Sequence, residues 1–273
     1  MKYFENFIFK GVMMKRTSLV AVAAMLVVIP SLASAHFQEI LPSTDIVPDE
    51  GSRTISLAIV FTHPVEGGPT MNMGEPVQFG VLVDGKKTDL KSSLKVKPFD
   101  GKTAYTADYK VDKPADYVFF LEPAPYWEPA ENHYIQHFAK VVVDFGSGDG
   151  WDKLVGLPME IEPLTRPYGL WTGNLFRGRV LKNGKPLPFA DIEVEWTNDG
   201  SVKPPADAFN TQVIKADASG VFAYAMPKAA WWAFNALSEG PERKSPDGKT
   251  VGTEIGGTLW VRTVDMYPAP AAK

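Results

Sequence analysis

The sequence contains no cysteine among its 273 residues, so it can form neither disulfides nor thiolate metal sites. Its 28 Lys and Arg are outnumbered by 32 Asp and Glu, and no basic patch is present that could neutralise phosphates. It also lacks any convincing long amphipathic helix. We therefore expect no nucleic-acid partner. Any bound metal must use histidine, carboxylate, methionine, main-chain or amino-terminal donors.

The amino-terminal segment has the form of a secretory signal peptide. Lys15 and Arg16 precede a short apolar run, and small residues at 33–35 form a cleavage site. The apolar run is too short for a comfortable membrane span, and no later run approaches about 18 residues. We therefore expect residues 1–35 to be removed and the mature chain to begin at His36, as a periplasmic protein without stable membrane insertion. An uncleaved anchor is the alternative.

Most of the remaining sequence has the pattern of short strands. Runs rich in β-branched and aromatic residues are separated by Gly, Pro, Asp and Asn turns. This pattern predicts an all-β fold built from antiparallel β-sandwiches. The predicted strands are Thr54–Phe61, Pro76–Val83, Ala104–Lys110, Tyr117–Leu121, Ala139–Phe145, Leu175–Leu181, Ile192–Trp196, Gly220–Ala225 and Gly257–Val264.

A domain boundary is predicted near Leu164–Pro167, where a proline-containing polar segment precedes a new strand-turn-strand pattern. Beyond it, Asn183-Gly184 is a strong hairpin turn because both residues tolerate positive φ. This hairpin and the later Asp217–Phe222 segment resemble the small transthyretin-like or carboxypeptidase-regulatory sandwich.

Two antiparallel β-sandwich domains are therefore expected. The first covers residues 36–165 and the second, transthyretin-like one covers residues 170–267. The second domain is interpreted as a scaffold that supports the first or docks a partner. A Pro/Ala tail at 268–273 is expected to be disordered.

The four histidines all lie in the first half of the chain. His36 follows the cleavage site, His63 follows a predicted strand, and His133 and His137 precede another. A terminal histidine can bind a divalent metal through its α-amine and Nδ1 together. Imidazoles from elsewhere then complete the plane that Cu²⁺ or Ni²⁺ favours. The alternative is a terminal histidine that frays in solvent.

The spacing of His133 and His137 has two interpretations. On a helix the two rings would lie on one face and could share a metal. On a strand they would lie about 13 Å apart, too far to do so. The period-two pattern Ile135, His137, Ala139 favours a strand. We therefore predict His137 as an inward-facing ligand, and His133 as either a further ligand or a solvated histidine.

Other residues have both a functional and a packing interpretation. Met71 and Met73 lie in a Gly/Pro-rich loop and are either a soft Cu⁺ site or apolar filler. An aromatic cluster would either form a sugar-binding surface or pack between domains and in the core. Its members are Tyr126, Trp127, Trp151, Tyr168, Trp171, Trp231 and Trp232. Glu128 and Glu131 could be a carboxylate pair for glycoside hydrolysis, but nothing in the sequence places them across a cleft.

Several strings together resemble a family of exported periplasmic components associated with cobalt and nickel transport systems. The resemblance spans nearly the whole mature chain. It implies a protein linked to Ni²⁺ or Co²⁺ uptake, with His36, His63 and His137 at the histidine positions of that family. The strings are Ala35-His36-Phe37, Phe61-Thr62-His63-Pro64 with Met71 and Met73, Pro125–Pro129, Ile135-x-His137-Phe138-x-Lys140, Gly150-Trp151-Asp152, Glu162–Pro167, Gly173-Asn174-x-Phe176 and Trp231-Trp232.

We therefore expect the protein to bind a divalent transition metal ion, Ni²⁺ or Co²⁺ first and Cu²⁺ next, for delivery to an inner-membrane metal transporter. The predicted ligands are His36, His63 and His137, with His133 as a further candidate. No enzymatic activity is expected. One alternative is a copper-dependent oxidative enzyme with an amino-terminal histidine chelate. Another is a carbohydrate-binding or adhesion sandwich that uses no metal.

Overall fold

A computed structural model describes residues 36–146 and 148–267. The predicted signal peptide at 1–35 and the predicted tail at 268–273 lie outside the described residues.

Within the described part the chain is built from strands, and the predicted all-β class is confirmed. None of its helices is long and apolar enough to cross a membrane. The elements are β1 (Phe37–Pro42), β2 (Thr54–Thr62), β3 (Gln78–Val83), β4 (Lys86–Asp89), a 3-10 turn (Lys91–Ser93), β5 (Lys95–Val96), β6 (Tyr105–Lys110), β7 (Ala115–Glu122), β8 (Tyr126–Glu128), β9 (His133–Phe145), β10 (Met159–Pro163), β11 (Leu170–Trp171), β12 (Leu175–Lys182), β13 (Lys185–Pro186), β14 (Asp191–Trp196), a 3-10 turn (Asp207–Phe209), β15 (Gln212–Lys215), β16 (Val221–Ala225), β17 (Trp231–Glu239), β18 (Arg243–Lys244), β19 (Thr250–Val251) and β20 (Thr253–Val264).

The strands form where the sequence places apolar residues with a period of two or in short continuous runs. In β2, Ile55 and Leu57 are buried while Thr54 and Ser56 are exposed, which is the alternation of a strand with one face on a core. In β9 nearly every residue is buried, because both faces of this strand are covered. β9 begins at His133 and so contains both closely spaced histidines, as the strand interpretation predicted.

Three sheets carry the fold. A four-stranded sheet has the order β1-β2-β6-β5. A ten-stranded sheet follows the path β15-β14-β17-β20-β9-β7-β3-β4, with β11 beside β20 and β8 beside β9. A further four-stranded sheet has the order β10-β12-β13, with β16 beside β12. Most pairs are antiparallel, but β20 runs parallel to β9.

The ten-stranded sheet separates two hydrophobic cores. Val141 of β9 and Trp260 of β20 lie in the core shared with β1 and β2. The next residue of β9, Val142, and the preceding residue of β20, Leu259, lie in the core shared with β10 and β12. Because successive strand residues point to opposite faces, the two smaller sheets cover opposite sides of the large one.

The predicted boundary near 164–167 does not separate two sheets. β20, from the second half of the chain, pairs with β9 from the first half over eight register positions. Tyr168 and Leu170, just after the boundary, are buried in the second core rather than exposed in a linker. The described residues from 36 onward form one compact unit, so the expected domains 36–165 and 170–267 share the central sheet.

A buried ion pair fixes the second layer to this sheet. The Nζ of Lys140 on β9 lies 2.6 Å from Oε1 of Glu160 on β10, and both side chains are 2% exposed. The same carboxylate accepts hydrogen bonds from the amides of Val155, Gly156 and Leu157. Burial lowers the pKa of Lys140, and the partner carboxylate opposes that shift. The extra amide donors offset part of the cost of burying the pair.

Candidate metal centre

His36 and His63 lie opposite each other because β1 and β2 are antiparallel. The register pairs Phe37 with Thr62, so the residues one step outside that pair face each other at the same end. The centroids of the two imidazole rings are 4.6 Å apart and their planes differ by 54°. The predicted association of these two histidines thus follows directly from strand register.

The His36 side chain lies in a largely buried environment that is both acidic and aromatic. Its Nε2 is 3.3 Å from Oε2 of Glu128, which lies at the end of β8. The rings of Phe61 and Tyr126 have centroids 5.5 Å and 6.3 Å from that of His36. His36 is 7% exposed and His63 is 3% exposed. Both imidazoles are therefore shielded by protein atoms rather than fully hydrated.

The loop that begins at His63 is anchored by the second half of the chain. The amide of Val65 donates to Oε2 of Glu195 at 3.2 Å. The side-chain amide of Asn198 donates to the carbonyl oxygen of Val65 at 3.0 Å. Burial raises the pKa of Glu195 to about 8, although the hydrogen bonds from Thr211 and Val65 oppose this. The C-terminal half thus helps to position a candidate ligand of the N-terminal half.

His137 contacts the main chain of His36 rather than its ring. His137 is 1% exposed, and its Nδ1 lies 2.7 Å from the carbonyl oxygen of His36. Its Nε2 lies 3.1 Å from Oε1 of Glu254 on β20. Burial opposes ionisation of Glu254, but the hydrogen bond and charge of His137, then the charges of His133 and His36, hold its pKa below the usual value.

A glycine creates the space that the His137 ring occupies. The parallel register places Gly256 of β20 beside His137 of β9. A Cβ at position 256 would lie 2.4 Å from Oδ1 of Asn235 and 2.5 Å from Cδ2 of His137. Asn235 is itself held by Thr258, whose hydroxyl donates to Oδ1 at 3.0 Å. A side chain larger than glycine at 256 would therefore displace the histidine or the asparagine.

His133 lies apart from this group. It belongs to the same strand as His137, so strand rise separates the two by about 13 Å. The Nε2 of His133 is 3.1 Å from Oε2 of Glu131. The side chain borders an open groove of about 610 Å³ whose other lining residues include Glu239, Glu242 and Glu254.

The two methionines are buried in the first core. Met71 is 6% exposed and Met73 is 7% exposed. The side-chain amide of Gln38 approaches the sulfur of Met73 at 3.8 Å. Met73 also lines a small cavity of about 10 Å³ together with His137. These contacts are those expected of apolar filler.

The paired glutamates face different histidines. Glu128 contacts His36 and Glu131 contacts His133, which gives no support to the arrangement imagined for glycoside hydrolysis. Most of the aromatic cluster is likewise used in packing, whereas Trp171 is 43% exposed. Trp232 is 3% exposed in the second core, and Tyr126 packs edge-on against Phe61 at 5.4 Å.

The side chains alone do not assemble a complete metal site. Within residues 36–146 and 148–267, no group of three or more His, Asp or Glu side chains is arranged to hold a metal ion. Acidic groups are nevertheless concentrated nearby. Burial, together with the charges of Glu254 and Glu195, raises the pKa of Glu193 to about 8. The site therefore offers a pair of imidazoles in an acidic setting and needs a further donor.

Sequence reasoning missed Glu254, Asn235 and Gly256, which surround His137. The sequence contains one indication of this arrangement. Gly256-Gly257 interrupts a run that is otherwise rich in strand-forming residues, and glycine inside a strand often marks close approach of another group. The partner of that close approach cannot be read from the sequence, because β20 and β9 are far apart along the chain.

Comparison with solved structures finds similarities at low identity. A segment of two fibronectin type III domains from chicken tenascin is 13% identical, with 84% of this chain and 100% of that chain covered and a TM-score of 0.22. The α-2-macroglobulin of E. coli is 10% identical, with 84% and 14% covered and a TM-score of 0.24. An I-band fragment of titin is 11% identical, with 84% and 65% covered and a TM-score of 0.19. No curated protein matches the chain. A family model described as a domain of unknown function, DUF4198, matches residues 33–240, and the chain belongs to this family.

Proposed function

We propose that the mature protein binds one divalent transition metal ion in the periplasm and passes it to an inner-membrane transporter. The proposed ion is Ni²⁺ or Co²⁺. The observation that carries the proposal is the pairing of His36 with His63, whose rings lie 4.6 Å apart in a buried, acidic environment. Two imidazoles held together in this way are typical ligands of late first-row metals.

The terminal amine supplies the donor that the side chains lack. In the uncleaved chain the nitrogen of His36 is an amide, which is a poor metal ligand. Cleavage after Ala35 converts it into an amine that can close a six-membered chelate ring with Nδ1 of the same residue. The amine, the His36 imidazole and the His63 imidazole then form a set of three nitrogen donors.

The acidic surroundings favour a cation at this position. Glu128 lies 3.3 Å from the His36 ring, and Glu254 lies on the other side of His137. A divalent ion placed among these carboxylates is attracted by their negative charges. The same nitrogen donors bind Cu²⁺ more tightly than Ni²⁺ or Co²⁺, so the metal carried in the cell also depends on which ion is available.

A carrier fits this environment better than an enzyme that acts on a polymer. His63 is 3% exposed, and Tyr126, a candidate for a substrate platform, packs against Phe61 and the His36 ring. A polymer-oxidising metal needs an open surface beside it, whereas a carried ion needs a site that loads and releases. The link to a transporter rests on the resemblance to components of cobalt and nickel uptake systems.

The proposal is tested on mature protein purified from the periplasm. Intact mass establishes whether the chain begins at His36, and calorimetric titration measures binding of Ni²⁺, Co²⁺ and Cu²⁺. We expect one ion per chain. A matched variant with one extra alanine before His36 retains both imidazoles but moves the amine, and it should bind at least about tenfold more weakly. Equal affinity of the two proteins would rule out the amine chelate.

Two further measurements separate a carrier from the alternatives. Deletion of the gene should impair growth only where nickel or cobalt is scarce, and added metal should restore it. Copper-loaded protein with a reductant should yield no oxidised products from chitin or cellulose. Oxidised sugars that depend on His36 would instead establish the oxidative enzyme, and sugar binding without any metal would establish the carbohydrate-binding sandwich.

A further inference from the structure

His137 has no ring nitrogen directed at the His36 and His63 pair. Its Nδ1 lies 2.7 Å from the main-chain oxygen of His36, and a carbonyl oxygen can only accept, so Nδ1 carries the hydrogen. Its Nε2 lies 3.1 Å from a carboxylate oxygen of Glu254. Both nitrogens are therefore engaged with partners other than a metal.

The ring is also confined by its neighbours. It is 1% exposed and is packed perpendicular to Phe61, with ring centroids 6.2 Å apart. Gly256 also brings the β20 main chain close to the ring, and Asn235 lies 3.3 Å from Nδ1. A rotation that presented a nitrogen to the metal would break the contact to His36 and require these neighbours to move.

We propose that His137 is a positioning residue for the amino-terminal chelate rather than a metal ligand. This inference rests on the proposed function. The carbonyl that His137 holds and the amine that would bind metal are attached to the same Cα of His36. Fixing the carbonyl therefore orients the amine and the side chain before a metal arrives, which reduces the ordering cost of binding.

Two substitutions at one position separate the two roles. His137→Asn places an amide N–H near the position of Nδ1, so it can still donate to the His36 carbonyl but cannot replace an imidazole ligand. His137→Ala removes both capacities. Circular dichroism and thermal melting of both mature variants establish that each is folded before binding is compared.

The probe is Cu²⁺, and pulsed electron paramagnetic resonance counts the coordinated imidazoles. We expect one ion and two imidazoles in the wild type and in both variants. Loss of one hydrogen bond in His137→Ala should weaken binding about tenfold, and His137→Asn should remain within about threefold of the wild type. If both variants lose one imidazole and bind equally weakly, His137 is a ligand and the inference is wrong.

A measurement without metal distinguishes this inference from the proposed function. Amide hydrogen exchange of residues 37–41 should be about tenfold faster in His137→Ala than in the wild type, and close to the wild-type rate in His137→Asn. Unchanged exchange in His137→Ala would overturn the positioning role. Absence of metal binding by the wild type, with this exchange pattern intact, would instead refute the proposed function.

Discussion

His63 is held from two directions. The end of β2 fixes its main chain opposite His36, and the loop that follows is bonded to Glu195 and Asn198 from the second half of the chain. A candidate ligand supported in this way would lose little freedom on binding a metal. By contrast, His133 lies where the β8–β9 hairpin turns and contacts Glu131.

These contacts predict different effects of removing the two histidines. His63→Ala should weaken binding of Ni²⁺, Co²⁺ and Cu²⁺ by at least about tenfold, since one of three nitrogen donors is lost. His133→Ala should leave the affinity unchanged, because strand rise and its contact with Glu131 keep it away from the pair. Calorimetric titration of both variants checks this. Equal losses would mean that His133 is also a ligand.

Glu195 makes the stability of the protein depend on pH. The side chain is 2% exposed, and burial raises its pKa from the usual 4.5 to about 8. Below about pH 4.5 both the folded and the unfolded states hold the proton. Between that pH and about 8 only the folded state does, so its contribution to stability is lost as the pH rises, by up to about 1.4 kcal/mol per unit.

Glu195→Gln should remove this dependence. In the wild type the Val65 amide and the Thr211 hydroxyl both donate to the Glu195 carboxyl group. A glutamine can keep the bond from Val65 through its oxygen, and its NH₂ group can donate to the Thr211 hydroxyl once that hydroxyl rotates. We expect the variant to match the wild type near pH 5 and to be more stable by a few kcal/mol near pH 9. Urea unfolding at the two pH values measures the difference. Glu50→Gln, which changes an exposed glutamate, is the control. An equal gain in stability at pH 9 in that variant would contradict the explanation.

At the scale of strands, local patterns predict much but not everything. The alternation in β2 and the apolar run in β9 are visible in the sequence because each depends on neighbouring residues. The pairing of β20 with β9 is not, because it is parallel and joins residues more than a hundred positions apart, such as Gly256 and His137. No turn or spacing rule specifies such a register.

This register makes Gly256 important for the site. In Gly256→Ala the new Cβ would lie 2.4 Å from Asn235 and 2.5 Å from the His137 ring. We expect a loss of about 1–3 kcal/mol in the free energy of unfolding, because the core must shift to accept the methyl group. Metal affinity should fall as well, since the displaced His137 ring no longer holds the His36 carbonyl. Chemical unfolding and metal titration measure the two effects.

Gly252→Ala is the matched control for this substitution. Gly252 immediately precedes β20, and a Cβ there would meet no atom within 4 Å. The free energy of unfolding of this variant should remain within about 0.5 kcal/mol of the wild type. If Gly252→Ala were as damaging as Gly256→Ala, the cost would come from the backbone of the segment and not from contact with His137.

At the scale of the whole chain, the segment near 164–167 shows what sequence reasoning could not determine. Proline and polar residues are typical of linkers, and a new hairpin follows, so the sequence predicts a boundary here. The segment instead leads into Tyr168, whose hydroxyl donates to Asp116 at 2.9 Å, and into β11, which pairs with β20. Whether such a segment is covered depends on tertiary packing, which composition does not encode.

The shared sheet predicts that both halves of residues 36–267 unfold together. β9 contributes Val141 to one core and Val142 to the other, and β20 does the same with Trp260 and Leu259, so neither core can melt without exposing strands of both. Calorimetry should therefore show one transition whose calorimetric and van't Hoff enthalpies agree.

Trp260→Ala removes a buried ring and also the hydrogen bond from its Nε1 to the Gln38 carbonyl. The substitution should lower the midpoint of that single transition, at a cost of about 3–5 kcal/mol in the free energy of unfolding. Two transitions, of which only one moved in Trp260→Ala, would mean that the two halves unfold independently.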